Sequence, residues 1–141
     1  MKKPVVFLDA CVWLRGITYP YEASGWVLYL SMTGEIKVVS SPLLIEEVKR
    51  NLRRQDKPHF LSLLQTVDPE TIELSDHALF SWAKVVPLKD CHVLAGAVTG
   101  GVDALLSLDS AHILKRKVKN QFPLPIFNPD EFVSWFSDQK P

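Results

Sequence analysis

Apolar and polar positions along the chain fall into blocks that switch between the two-residue period of strands and the 3.6-residue period of helices. From Val5 to Trp13 the run VVFLDACVW is apolar throughout except for Asp9. Such a run predicts a strand buried on both faces, as at the centre of a parallel sheet. Gly16 to Tyr21, with Pro20, reads as a turn region. Trp26, Tyr29 and Leu30 then mark one face of a helix between Glu22 and Gly34, closed by the glycine. Ile36 to Val39 is a short strand. Ser41 and Pro42 supply the cap and first-turn proline of a helix reaching about Arg54, with Leu44, Val48 and Leu52 as its buried stripe.

Lys57 to Val67 reads as a further helix, Thr71 to Leu74 as a weak strand, and Ser75 as the cap of a short helix reaching Lys84. Val85 to Pro87 is a brief extended piece. Asp90 opens an apolar helix through Val93, Leu94, Ala97 and Val98, closed by Gly100 and Gly101. Ala104 to Leu108 is the second strong strand and ends at Asp109. His112 to Gln121 reads as a basic helix broken by Pro123, and Leu124 to Phe127 as a last strand. Asn128, Pro129 and Glu131 then form the entry to a final helix that packs Phe132, Val133 and Phe136 onto the core. Strands alternating with helices predict an α/β fold with a mainly parallel sheet covered on both faces.

The 141 residues suffice for one domain, read as spanning 1–141. Sixteen basic and sixteen acidic residues cancel, so overall charge gives no argument for a nucleic-acid partner. Two cysteines, Cys11 and Cys91, are too few for a disulfide framework and read as reduced thiols of a cytoplasmic protein. Asp9 interrupts the first apolar run and no small-residue cleavage site follows, so no signal peptide is read. No apolar stretch approaches the ~20 residues needed to span a bilayer.

The candidate chemistry lies in acids at strand ends and helix starts. Asp9 and Asp109 each end a strong strand, so neighbouring parallel strands would bring both to one sheet edge, where ligands of open α/β sheets bind. Asp90 joins them if its loop folds to that edge, and Glu47 enters from the side of its helix. Carboxylates so clustered repel unless some are protonated or hard cations neutralise them. Oxygen donors suit Mg2+ or Mn2+, and a pair of such ions about 3.5–4 Å apart supports phosphodiester hydrolysis. Each acid also has a plainer reading: Asp9, Asp90 and Asp109 as helix or turn caps, Glu47 as a solvated charge, and Asp103 as a turn residue.

Taken together, VVFLDACVW, EASGWVLYLSMTGEIKVVSSPLLIEEVKRNL and VPLKDCHVLAGAVTGGVDALLSLD resemble, in order and spacing, the acid-bearing segments of PIN-domain nucleases. The resemblance covers nearly the whole chain and points to the toxin-like, VapC-like branch of prokaryotes. It selects Glu47 over Glu46, because an apolar residue follows the family's glutamate. It implies a three-layer α/β/α sandwich and Mg2+ or Mn2+ held by Asp9, Glu47, Asp90 and Asp109. It further implies metal-dependent endoribonuclease activity on single-stranded RNA, a cognate antitoxin that blocks the acidic pocket, and a homodimer.

Three positions depart from the family pattern. Ala10 and Cys11 stand where a hydroxyl or amide residue often follows the first aspartate. Ala111 and His112 replace a further aspartate after Asp109, with His112 read either as a polar group of the site or, more plainly, as a helix-surface residue. Lys89 and Cys91 flank Asp90 in place of an additional acid. These departures keep open an alternative, a catalytically weak PIN-like domain that binds RNA or a protein. Cys11, Cys91 and His92 lack zinc-like ligand spacing. Two basic clusters, Lys49, Arg50, Arg53, Arg54 and Lys57, and Lys115, Arg116, Lys117 and Lys119, are candidates for phosphate contacts as well as ordinary solvated faces.

Overall fold

A computed structural model describes residues 2–139. Five strands, β1 (Val5–Leu8), β2 (Lys37–Ser40), β3 (Glu70–Thr71), β4 (Ala104–Leu106) and β5 (Ile126–Phe127), form one sheet in the order β3-β2-β1-β4-β5. Every neighbouring pair is parallel. Eight α-helices connect and flank them: α1 (Ala10–Thr18), α2 (Ala23–Met32), α3 (Pro42–Asn51), α4 (Lys57–Val67), α5 (Asp76–Phe80), α6 (Cys91–Thr99), α7 (Arg116–Gln121) and α8 (Pro129–Gln139). Right-handed crossovers place the β1-to-β2 and β2-to-β3 connections on one face and the returning β3-to-β4 and β4-to-β5 connections on the other. The result is the three-layer α/β/α arrangement.

The central strand is buried on both faces, with Val6, Phe7 and Leu8 fully inaccessible. On one side Phe7 lies against α6 so closely that a Cβ on Gly96 would sit 2.5 Å from its ring. Across the other layer Trp13 of α1 meets Phe60 of α4 edge-on at 5.6 Å.

The apolar run from Val5 to Trp13 divides into two elements. Its strand stops at Leu8, and Asp9 adopts an extended conformation and accepts a hydrogen bond from the Ala10 backbone N–H, which starts α1. A run apolar at every position carries no period, so the change from strand to helix leaves no pattern. Helix α2 also turns a different face inward from the one expected. Trp26 and Tyr29 are about half exposed, while Ser24, Gly25, Val27, Leu28, Leu30 and Ser31 are buried. Small residues decide this, because Gly16 of α1 admits Leu28, and a Cβ on Gly25 would meet the Pro20 carbonyl at 2.1 Å. Gly34, at φ +80°, ends this helix as expected.

Elsewhere the differences are of length or position. Helix α3 stops at Asn51, and α5 ends at Phe80, with Ser75 accepting from the Ala78 N–H as its cap; β3 is shifted as well as shortened, Glu70–Thr71 in place of Thr71 to Leu74. The basic helix begins at Arg116, and residues 110–113 before it form turns. Among the described residues no helix is long and apolar enough to cross a membrane.

Candidate metal centre

The strand order reverses at β1, which pairs with β2 on one side and β4 on the other. Crevices at the carboxyl ends of such strands are where ligands bind in open α/β sheets. Asp9 follows β1 directly, and Asp109 lies three residues beyond β4. The Asp9 N–H donates to the Leu106 carbonyl, so the two strand ends are tied together just before both acids.

Asp9 is 6% exposed. One of its oxygens accepts from the Ala10 N–H at 2.7 Å, and the other from the Ser107 hydroxyl at 2.7 Å. Burial pushes its pKa up from 3.8 to about 6; the two hydrogen bonds oppose this, and the charges of Glu47 and Asp90 add to it. The capping role foreseen for Asp9 is real, and the same carboxylate is electrostatically coupled to the other acids.

Asp90 ends a 3-10 turn (Leu88–Asp90) and sits at the cap position of α6, yet its side chain makes no capping hydrogen bond. Its Oδ2 is buried and accepts no hydrogen bond, with the Nδ1 of His112 3.4 Å away. Burial foremost, then the Asp109 charge, holds its pKa above the usual carboxylate value; Glu47 adds to this, while His112 and Lys89 oppose it.

Asp109 divides its two oxygens. Oδ1 accepts from the backbone N–H groups of Ala111 and His112, closing the turn after the strand, and Oδ2 lies 3.3 Å from His112 Nδ1. Glu47 projects from α3 partly buried, whereas Glu46 beside it is exposed. Its Oε1 is 2.8 Å from Nε2 of His92, a residue of α6 that is itself buried. Asp103 is at the other end of β4, where its carboxylate accepts from the Val5 N–H.

A cleft of about 610 Å3 is lined by Glu47, Arg50, Asn51, Lys89, Asp90, His92 and Asp109. Among the described residues one group offers three ligand atoms all within 4.8 Å of one another: Asp90, Asp109 and His112. These three could hold a divalent ion. Asp9 and Glu47 fall outside that tight group; Asp9 Oδ2 is engaged by Ser107 and Glu47 Oε1 by His92. No cysteine belongs to it, and burial pushes the Cys11 thiol up to about 12, with the Asp9 charge adding to the effect. Of the two basic clusters, the first reaches the cleft through Arg50, while none of Lys115, Arg116, Lys117 and Lys119 lines it.

Two further polar residues stand among these acids: Ser107, which the sequence did not single out, and His112, for which a polar role was one of two readings. Ser107 supplies the hydroxyl that Ala10 and Cys11 do not, and its oxygen also accepts from the Asp109 N–H at 3.0 Å. Its signal is a serine directly after the apolar strand ALL and two residues before Asp109. His112, expected on a helix surface, precedes α7 and is folded back between two carboxylates. The signal there was only its spacing from Asp109.

Comparison with protein-family models matches the PIN domain over residues 5–111. No curated protein matches the sequence. In fold the chain is similar to VapBC2 from Rickettsia felis bound to a DNA fragment from their promoter, at 13% identity and a TM-score of 0.62, over 88% of this chain and 98% of that one. It is also similar to PAE2754 from Pyrobaculum aerophilum, at 13% identity and a TM-score of 0.57, over 99% of this chain and all of that one. The family match begins with β1 and ends two residues beyond Asp109, enclosing all four acids, and the chain belongs to the PIN domain family.

Proposed function

We propose that the protein is a metal-dependent endoribonuclease that hydrolyses phosphodiester bonds of single-stranded RNA, with Asp9, Glu47, Asp90 and Asp109 holding Mg2+ or Mn2+. One observation carries this reading. Asp9 and Asp109 follow neighbouring strands at the strand-order reversal, Asp90 lies beside Asp109, and burial together with the neighbouring carboxylate charges, that of Glu47 among them, holds Asp9 and Asp90 above their ordinary pKa. Carboxylates held at such a disadvantage suit a hard cation that offsets their charge. The donor set fits the ion, and Asp90 contributes a buried oxygen with no hydrogen bond of its own.

A bound divalent ion supplies an activated water and charge stabilisation for the leaving oxygen of a phosphodiester. The chain's own residues do the rest. The Ser107 hydroxyl favours the charged form of Asp9, and His92 orients Glu47. Arg50 and Lys89, lining the same cleft as the acids, are positioned to contact the phosphates of a strand entering it. The resemblance to the toxin-like branch of the family extends the proposal to a toxin role, with a cognate antitoxin covering the acidic cleft, and to a homodimer; the likeness of fold to VapBC2 agrees with that branch.

The test is cleavage of a labelled single-stranded RNA with Mn2+, with Mg2+ and with EDTA. The reading predicts metal-dependent cuts that EDTA abolishes. It also predicts products without a 2′,3′-cyclic phosphate, since water rather than the ribose hydroxyl attacks. Cleavage that persists in EDTA contradicts it. For the toxin role, expression of the chain alone should arrest growth, and expression of Asp109→Asn should not.

A further inference from the structure

Asp109 Oδ1 gathers the backbone N–H groups of Ala111 and His112 into a turn. That turn carries the His112 ring back to the two carboxylates, with Nδ1 3.3 Å from Asp109 Oδ2 and 3.4 Å from Asp90 Oδ2. A nitrogen therefore stands with two carboxylate oxygens inside the 4.8 Å group, and one of those oxygens is buried with no hydrogen bond. The imidazole is about one-third exposed, so Nδ1 can exchange its carboxylate contacts for a cation without repacking the core.

We infer that His112 is a nitrogen ligand that sets the ion preference of this centre, making it a site for Mn2+ and similar transition ions in preference to Mg2+. The chemistry is that of the donor set. Mg2+ demands oxygen donors and retains its waters, whereas imidazole suits first-row transition ions, whose affinity for nitrogen exceeds that of Mg2+. The inference rests on the proposed metal-dependent function. It goes further in placing a residue outside the four acids at the ion and in naming the ion class.

The experiment is pulsed electron paramagnetic resonance on the full chain with one equivalent of Mn2+, beside Mn2+ and Mg2+ titrations of the wild type and of His112→Asp. Nitrogen modulation of the Mn2+ signal is expected in the wild type and lost in His112→Asp. The ratio of Mn2+ to Mg2+ affinity should fall at least about tenfold in the variant, because Asp restores an all-oxygen set. Mn2+ bound without nitrogen modulation overturns the assignment of His112 and leaves the nuclease reading standing. So does modulation that persists in His112→Asp, which gives the nitrogen to another residue. Absence of Mn2+ binding in both proteins overturns the inference together with the metal-dependent function. A circular-dichroism melt of His112→Asp confirms that it folds, and His112→Gln, which has no imidazole, must reproduce the loss of modulation.

Discussion

The Ser107 hydroxyl donates to Asp9 Oδ2 at 2.7 Å across the seam between β1 and β4, and its oxygen receives the Asp109 N–H. One small side chain thus ties the first acid to the last. It is buried, and its hydrogen bond draws the Asp9 pKa down against the effect of burial. Ser107→Ala should raise that pKa further, so protons compete more strongly for the carboxylate. Mn2+ affinity near pH 6.5 should fall about tenfold and recover partly at pH 8, while Ser107→Thr, which keeps the hydroxyl, stays near wild type. Calorimetric titration at the two pH values checks this. An equal loss at both would make Ser107 a packing residue only.

Asp9 also makes stability depend on pH in the metal-free protein. Its folded pKa of about 6 lies above the ordinary 3.8, so between these values the folded chain binds more protons than the unfolded one. Its contribution is therefore most favourable at acid pH and declines as pH rises through about 6, by an amount of the order of 3 kcal/mol. In EDTA, Asp9→Asn should melt higher than wild type at neutral pH by about 5–10 °C, with the gap closing toward pH 4. Thermal melts across pH check it; parallel curves for the two proteins would contradict it.

Arg50 and Lys89 line the cleft beside the acids. If each meets a phosphate, replacing both by Ala should weaken single-stranded RNA binding and flatten its salt dependence by about 1.4 in log–log slope, about 0.7 per lost contact. Charge reversal of Lys115, at the cap of α7, and of Lys117 and Lys119 within it, none of which lines the cleft, should change that slope less. Fluorescence anisotropy over a range of salt concentrations distinguishes the two. A larger effect from α7 would move the RNA path to that helix.

The two thiols, Cys91 buried and Cys11 partly buried, should stay protonated in the folded protein. Cys11 is pushed up to about 12 and Cys91 is raised as well, in both cases by burial foremost. The folded protein at pH 8 should therefore react slowly with a disulfide reagent, and both thiols should react once urea unfolds the chain. Rapid labelling of the folded protein would show an accessible thiolate beside the acids.

Much of the architecture was legible because its signals are local. Ser41 with Pro42, Gly34, Ser75, and Asn128 with Glu131 are caps whose chemistry is written in one turn of chain. The alternation of strand and helix was enough for a parallel sheet. The break at Asp9 was hidden because the apolar residues around it fill both a strand and a helix. The inward face of α2 was hidden because Gly16, Gly25 and Ser24 decide it through contacts with another segment. At the site, the resemblance to the family's acid-bearing segments singled out Asp9, Glu47, Asp90 and Asp109; in the fold Asp9 feels the charges of Glu47 and Asp90, and Asp90 those of Asp109 and Glu47. Ser107, His92 and His112 act through side-chain contacts across the sheet and between helices, for which spacing along the chain gives no rule.

A metal site built from the four carboxylates must both bind Mn2+ and cut RNA through the same groups. Calorimetric titration of Mn2+ into the wild type and into Asp9→Asn, with single-stranded RNA cleavage measured on the same samples, examines both properties together. Binding and cleavage are expected in the wild type, and loss of both in a folded Asp9→Asn. Mn2+ binding without cleavage of any single-stranded RNA would favour the catalytically weak binding domain. No Mn2+ binding by the wild type would contradict the account and leave the acids as caps and turn residues.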